Sequence, residues 1–222
     1  MNWETLLCWG DSITIGARSY LCYPEYAAQS LADATDRRWH AITHAVCGYT
    51  ACDLNRSLAP EIGKMKDLKP GLLTIMIGTN DLKGPTALKP FKIAYSQLLI
   101  KARMVCGPNQ ILLFEIPELK TGVMYPYLVS MNASVRKYNT AIKELADQFG
   151  VRTISVDLED HHLFDGVHLD ETGSHHVGCQ LAAKVLEDRG LSRSQQNKVD
   201  SIGVAVAPSP AIGACMPVSS MH

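Results

Sequence analysis

The sequence contains no block of Lys and Arg, no long apolar run and no close pairing of cysteines, and each absence excludes a class of function. Lys and Arg number 21 against 22 Asp and Glu, a net charge of −1. A domain that grips a polyanion gathers basic excess on one face, so nucleic acid is not an expected partner. No segment is apolar for long enough to span a bilayer. The seven cysteines, Cys8, Cys22, Cys47, Cys52, Cys106, Cys179 and Cys215, are scattered, with no C-x-x-C. Neither a disulfide framework nor a structural zinc site fits that spacing, and reduced thiols are expected. The opening Met1-Asn2-Trp3-Glu4 has no basic character and leads into only a few apolar residues, a first strand and not a signal peptide. Together these features predict a cytoplasmic protein acting on a small molecule, with no membrane span.

The 222 residues, 46% hydrophobic and 19% charged, suffice for one α/β domain with a real core. Short apolar runs, the strand candidates, occur at Thr5–Trp9, His40–Val46, Leu72–Ile77, Gln110–Glu115 and Val151–Val156. Amphipathic stretches at Tyr23–Thr35, Ala51–Leu68, Leu88–Val105, Met131–Phe149 and Glu171–Asp188 read as helices. Lys69-Pro70-Gly71, Cys106-Gly107-Pro108-Asn109 and Phe149-Gly150 punctuate three helix-to-strand transitions. Alternation with crossovers predicts a five-stranded parallel sheet covered on both faces, a three-layer α/β/α sandwich of flavodoxin-like kind. The catalytic domain is expected to span residues 1–190. From Leu191 periodicity is lost, and Pro208, Pro210 and Pro217 oppose a regular element, so residues 191–222 read as a poorly ordered tail.

In a parallel α/β sheet, functional residues gather at the carboxyl ends of the strands. There the sequence places Gly10-Asp11-Ser12, Gly48-Tyr49-Thr50 and Gly78-Thr79-Asn80-Asp81, with Asp165 and His168 in the loop before the last helix. A serine hydroxyl needs a base to take its proton, and His168 can serve. Asp165 can accept the other ring N–H and fix the tautomer. The backbone N–H groups of Ser12 and Gly48, with the Asn80 amide, can form an oxyanion hole. Glycine at 48 would leave a substrate carbonyl room to approach. Asp11 and Asp81 are expected to tie loops together through backbone N–H bonds.

These blocks resemble the GDSL/SGNH hydrolase family. Gly10-Asp11-Ser12-Ile13 looks like the block that names it, with Ile in place of Leu. Gly48 with Thr50, Gly78-Thr79-Asn80-Asp81 and Asp165-x-x-His168 are similar to the other three, in the family's order, over residues 5 to about 188. The run Met76–Lys83 looks closer to the arylesterase and carbohydrate-esterase branches than to the plant lipases. The resemblance implies a serine esterase, acting on ester substrates without metal or cofactor. Its letters S, G, N and H fall on Ser12, Gly48, Asn80 and His168. Asp157 and Asp160 compete as triad acid, and the family pattern favours Asp165. No G-x-S-x-G offers a rival nucleophile.

Three other readings stand beside it. One is a lysophospholipase- or thioesterase-like member of the same family. The second is a metal-dependent hydrolase built on His161, His162, His168, His175 and His176. It lacks H-E-x-x-H, and adjacent helix residues such as His175 and His176 point apart. The third is a binding domain that has kept the scaffold, although no reacting group is missing. Acyl and alcohol specificity is expected to reside in the loops Ile13–Tyr23, Lys83–Pro90 and Glu118–Ser130. The last of these, with Met124, Tyr125, Pro126 and Tyr127, is a candidate substrate wall. With no hydrophobic lid in the sequence, small acyl groups such as acetyl are favoured. The sequence does not specify an oligomeric state.

Overall fold

The computed structural model describes residues 3–84 and 86–190. The tail expected over 191–222 lies outside the described residues. Five strands, β1 (Trp3–Gly10), β2 (Arg38–Ala45), β3 (Leu72–Met76), β4 (Ile111–Phe114) and β5 (Arg152–Ile154), form one sheet. Every neighbouring pair is parallel and the order is β2-β1-β3-β4-β5, the flavodoxin-like arrangement. The sheet sits between two helical layers because its central strands are apolar on both faces. Leu7 and Trp9 of β1, Leu73 and Ile75 of β3, and Ile111 and Leu113 of β4 join one core. Their alternates Leu6 and Cys8, Leu72 and Met76, and Leu112 and Phe114 join the other. That period of two, buried on both sides, is what a doubly covered sheet requires.

The first core is closed by α3 (Ala51–Leu58), α4 (Ile62–Asp67), α5 (Leu88–Val105) and α6 (Asn132–Phe149), and the second by α2 (Tyr23–Ala34) and α7 (Glu171–Asp188). The single helix predicted for Ala51–Leu68 is two helices. Pro60 supplies no N–H to continue the helical ladder, so although Ala59 keeps helical angles, α3 ends at Leu58 and the chain turns before α4 begins. A four-residue helix, α1 (Ser12–Ile15), follows β1 directly and has no counterpart in the periodicity. Among the described residues no helix is long and apolar enough to cross a membrane.

Gly10 and Gly178 are among the glycines fixed by contact. A Cβ on Gly10 would lie 2.1 Å from Thr14 Oγ1 and 2.6 Å from the Met76 carbonyl oxygen, so β1 and β3 close together only without it. On α7, a Cβ on Gly178 would lie 2.5 Å from Tyr26 Cβ and 2.9 Å from the Ala27 nitrogen of α2. Because backbone blocks that space, Gly178→Ala should destabilise the fold by about 1–3 kcal/mol through overpacking, its gain in helix propensity notwithstanding. Urea denaturation checks this, and an unchanged midpoint would show that α2 and α7 have slack.

Candidate active site

The carboxyl ends of β1, β2 and β3 bring three of the sequence blocks together. β1 ends at Gly10, and Asp11 caps α1 by accepting from the Ile13 N–H at 3.0 Å. This cap places Ser12 on the first residue of α1, buried to 7% exposure. The Ser12 hydroxyl lies 2.9 Å from His168 Nε2. The other ring nitrogen, Nδ1, lies 2.8 Å from Asp165 Oδ2, while Asp165 Oδ1 accepts from the backbone N–H groups of His168 and Val167 at 2.8 and 3.1 Å. Partial burial works to raise the Asp165 pKa, but the bonds from His168 and Val167 outweigh it and hold the carboxyl below its ordinary value. Asp165 is thus an ionised acceptor, and it fixes the ring with Nδ1–H toward itself and Nε2 free to accept from Ser12.

The competing acids make no contact with His168. Asp160 accepts from the Thr121 hydroxyl, and the backbone carbonyl of Asp157 accepts from Gln180. The five histidines do not meet at one point: His161 packs on His162 with ring centroids 4.1 Å apart, while His168 faces Ser12 and Asp165. His162 stacks on His176 with ring centroids 4.3 Å apart, whereas His175 sits edge-on to Tyr26. Among the described residues no group of three or more His, Cys, Asp and Glu side chains is placed to hold a metal ion.

Gly48 follows β2 with φ +84, and a Cβ there would meet nothing within 4 Å. Within the chain, therefore, it is the left-handed backbone that asks for glycine, not a lack of space. Among the described residues, the N–H groups of Ser12 and Gly48 donate to no other group. Asn80, buried at the end of β3, does not cap a helix. Its amide donates to the Tyr49 carbonyl at 3.0 Å and to Asp11 Oδ2 at 3.3 Å. Both of its N–H bonds are engaged in this state, and the longer one, toward Asp11, is the weaker.

Burial raises the Asp11 carboxyl to about 7, against the Ile13 and Asn80 hydrogen bonds that lower it. Burial likewise raises Asp81 to about 6, although it accepts from the Ala51 N–H at 2.9 Å and so ties the β3 loop to α3. Both acids therefore brace loops, as their place in the sequence suggested.

Sequence reasoning missed one member of the site. Tyr127, singled out only as a substrate-wall candidate, is 6% exposed, and its hydroxyl donates to Asn80 Oδ1 at 3.0 Å. Its neighbours Met124 and Tyr125 are 68% and 92% exposed. The only sequence signal was a tyrosine in a loop at the sheet's functional edge.

The family model for GDSL-like lipases and acylhydrolases matches residues 8–176, which include all four blocks. Solved structures agree in fold. An acetylxylan esterase from Geobacillus stearothermophilus is 21% identical over 85% of this chain and 95% of its own, with a TM-score of 0.60. A lipase/acylhydrolase from Enterococcus faecalis is 19% identical over 84% of this chain and 96% of its own, at 0.66. A psychrotrophic esterase from Pseudoalteromonas, described as inhibited by monoethylphosphonate, is 14% identical over 84% and 99%, at 0.65. No curated protein matches the chain by sequence.

Proposed function

The chain belongs to the GDSL-like lipase/acylhydrolase family, and on that footing we propose that it is a serine esterase for short-chain acyl esters, working through Ser12, His168 and Asp165. The observation that carries the reading is the unbroken line from Ser12 Oγ to His168 Nε2 at 2.9 Å and from His168 Nδ1 to Asp165 at 2.8 Å. Attack of Ser12 on the ester carbon passes its proton to His168, and Asp165 stabilises the imidazolium that forms. The N–H groups of Ser12 and Gly48 meet the developing oxyanion. Asn80 joins them when the oxyanion takes the hydrogen now shared with Asp11. Collapse of the tetrahedral intermediate expels the alcohol, which takes the proton from His168 and leaves an acyl-Ser12. Water, deprotonated by the same histidine, then releases the acid.

Short acyl groups are favoured because no long element covers Ser12. Among the described residues, the connections at this rim carry only α1 and three-residue 3-10 turns at Asn80–Leu82, Val129–Met131 and Asp160–His162. The likeness to an acetylxylan esterase fits the same choice. Hydrolysis of p-nitrophenyl esters from acetyl to palmitoyl tests it, with acetylated sugars beside them. Acetyl or butyryl esters should give the highest kcat/KM. A maximum at long chains would transfer the site to the lysophospholipase- or thioesterase-like reading.

A further inference from the structure

Two exposed cations at the mouth of the site are held by rings and not by acids. Lys92, Arg136, Lys143 and Arg152 each pair with a carboxylate. Arg18 and Lys83, both exposed, have no carboxylate partner among the described residues. The Arg18 guanidinium lies 5.3 Å from the centroid of Phe164, and the Lys83 ammonium 5.1 Å from that of Tyr127. A ring face restrains a cation without neutralising it, so each keeps its charge for a ligand.

Both rings are joined to the reacting groups. Phe164 precedes Asp165, and its N–H donates to the His168 carbonyl at 2.8 Å. Tyr127 holds Asn80, as described above. Arg18 therefore stands on the histidine side of the rim and Lys83 on the asparagine side, and the Lys83 charge is felt at Asp11, the neighbour of Ser12. Of the acids nearby, Asp11 feels the Lys83 charge but is buried and accepts from Ile13 and Asn80, Asp160 accepts from the Thr121 hydroxyl, and Asp170 caps α7. Asp165 serves His168, Glu118 pairs with Arg136, and Glu171 accepts from the Tyr20 N–H and the Tyr26 hydroxyl.

We propose that the site prefers esters whose alcohol half carries an anionic group, a carboxylate, sulfate or phosphate, bound by Arg18 and Lys83 while the acyl carbon meets Ser12. The proposal rests on the esterase reading and adds the half of the substrate that the triad does not touch. The short acyl chain leaves the alcohol as the part large enough to reach the rim. An exposed cation gains only modestly from a ligand charge, so two acting together should change selectivity by about tenfold at low salt.

The test compares 4-acetoxybenzoate with neutral 4-acetoxybenzamide, which share an acetyl group and a phenolic leaving oxygen. The readout is the ratio of their kcat/KM values in each enzyme. The ratio should fall about tenfold in the Arg18→Gln, Lys83→Gln double variant and decline with added salt in the parent. The charge-preserving pair Arg18→Lys and Lys83→Arg should retain most of it. A ratio that moves less than twofold in the double variant, or ignores salt, overturns the proposal while leaving the esterase reading intact. Hydrolysis of neither ester by the parent overturns the esterase reading, and this proposal with it.

Discussion

Ser12→Ala should lower kcat by roughly four to six orders of magnitude while the protein stays folded. Removing the hydroxyl deletes the atom that carries the acyl group, so the loss falls on chemistry and not on substrate affinity. The structural cost is small: the one side-chain hydrogen bond lost is the 2.9 Å contact with His168, worth about 1 kcal/mol. The α1 cap survives because it comes from Asp11 and the Ile13 N–H, not from Ser12. An organophosphonate should label Ser12 in the parent and nothing in the variant, which intact-mass measurement checks directly. His168→Ala should cost a similar factor, and combining the two should add little, as for groups that act as a unit. Near-normal turnover by a folded Ser12→Ala protein would remove the central assignment.

Asn80→Ala should lower kcat by about a hundredfold or more with a smaller change in KM, because the amide acts on charge that develops only during attack. This side chain differs from Ser12 in being woven into the fold. It donates to Asp11 and the Tyr49 carbonyl and accepts from Tyr127, so removing it strands buried partners. A stability loss of about 1–3 kcal/mol should accompany the kinetic one. Tyr127→Phe separates the two effects: it keeps the asparagine but frees its carbonyl oxygen, and should reduce kcat by a smaller factor. Melting curves and steady-state kinetics on both variants decide the matter. An Asn80→Ala protein that loses stability but keeps kcat would make the residue purely structural.

Much of this architecture was legible in advance, for identifiable reasons. The helices Leu88–Val105 and Glu171–Asp188 have the predicted bounds, since both carry a long apolar stripe between clear breaks. The cores of β1, β3 and β4 were equally plain because they are apolar on both faces. Short-range geometry was harder to read: Pro60 divides a stretch whose hydrophobic pattern continues across it, and α1 is too brief for any period to register. At the site, the blocks could be aligned because three lie where a strand ends and the fourth in the loop that leads into the last helix. What could not be read was contact at a distance. The Tyr127–Asn80 hydrogen bond joins residues 47 apart in the chain, through a loop with no periodicity. The engagement of both Asn80 N–H bonds likewise depends on where the Tyr49 carbonyl comes to rest. For Gly48 the sequence suggested room for a substrate carbonyl, and the structure adds a second reason, a left-handed backbone, that no residue pattern announces.

The hydroxyl of Ser12 and the imidazole that activates it stand 156 residues apart, at opposite ends of the described fold. In chain order the serine, its helix cap and all five strands precede His168. Closing so long a loop costs entropy that local contacts cannot repay, and the repayment comes when α7 seats Gly178 against Tyr26 and Ala27. Without that imidazole the proposed nucleophile would be an ordinary alcohol. On the proposed assignment, catalytic competence would require the step that joins the two ends of the described fold, a requirement set by the 156-residue separation.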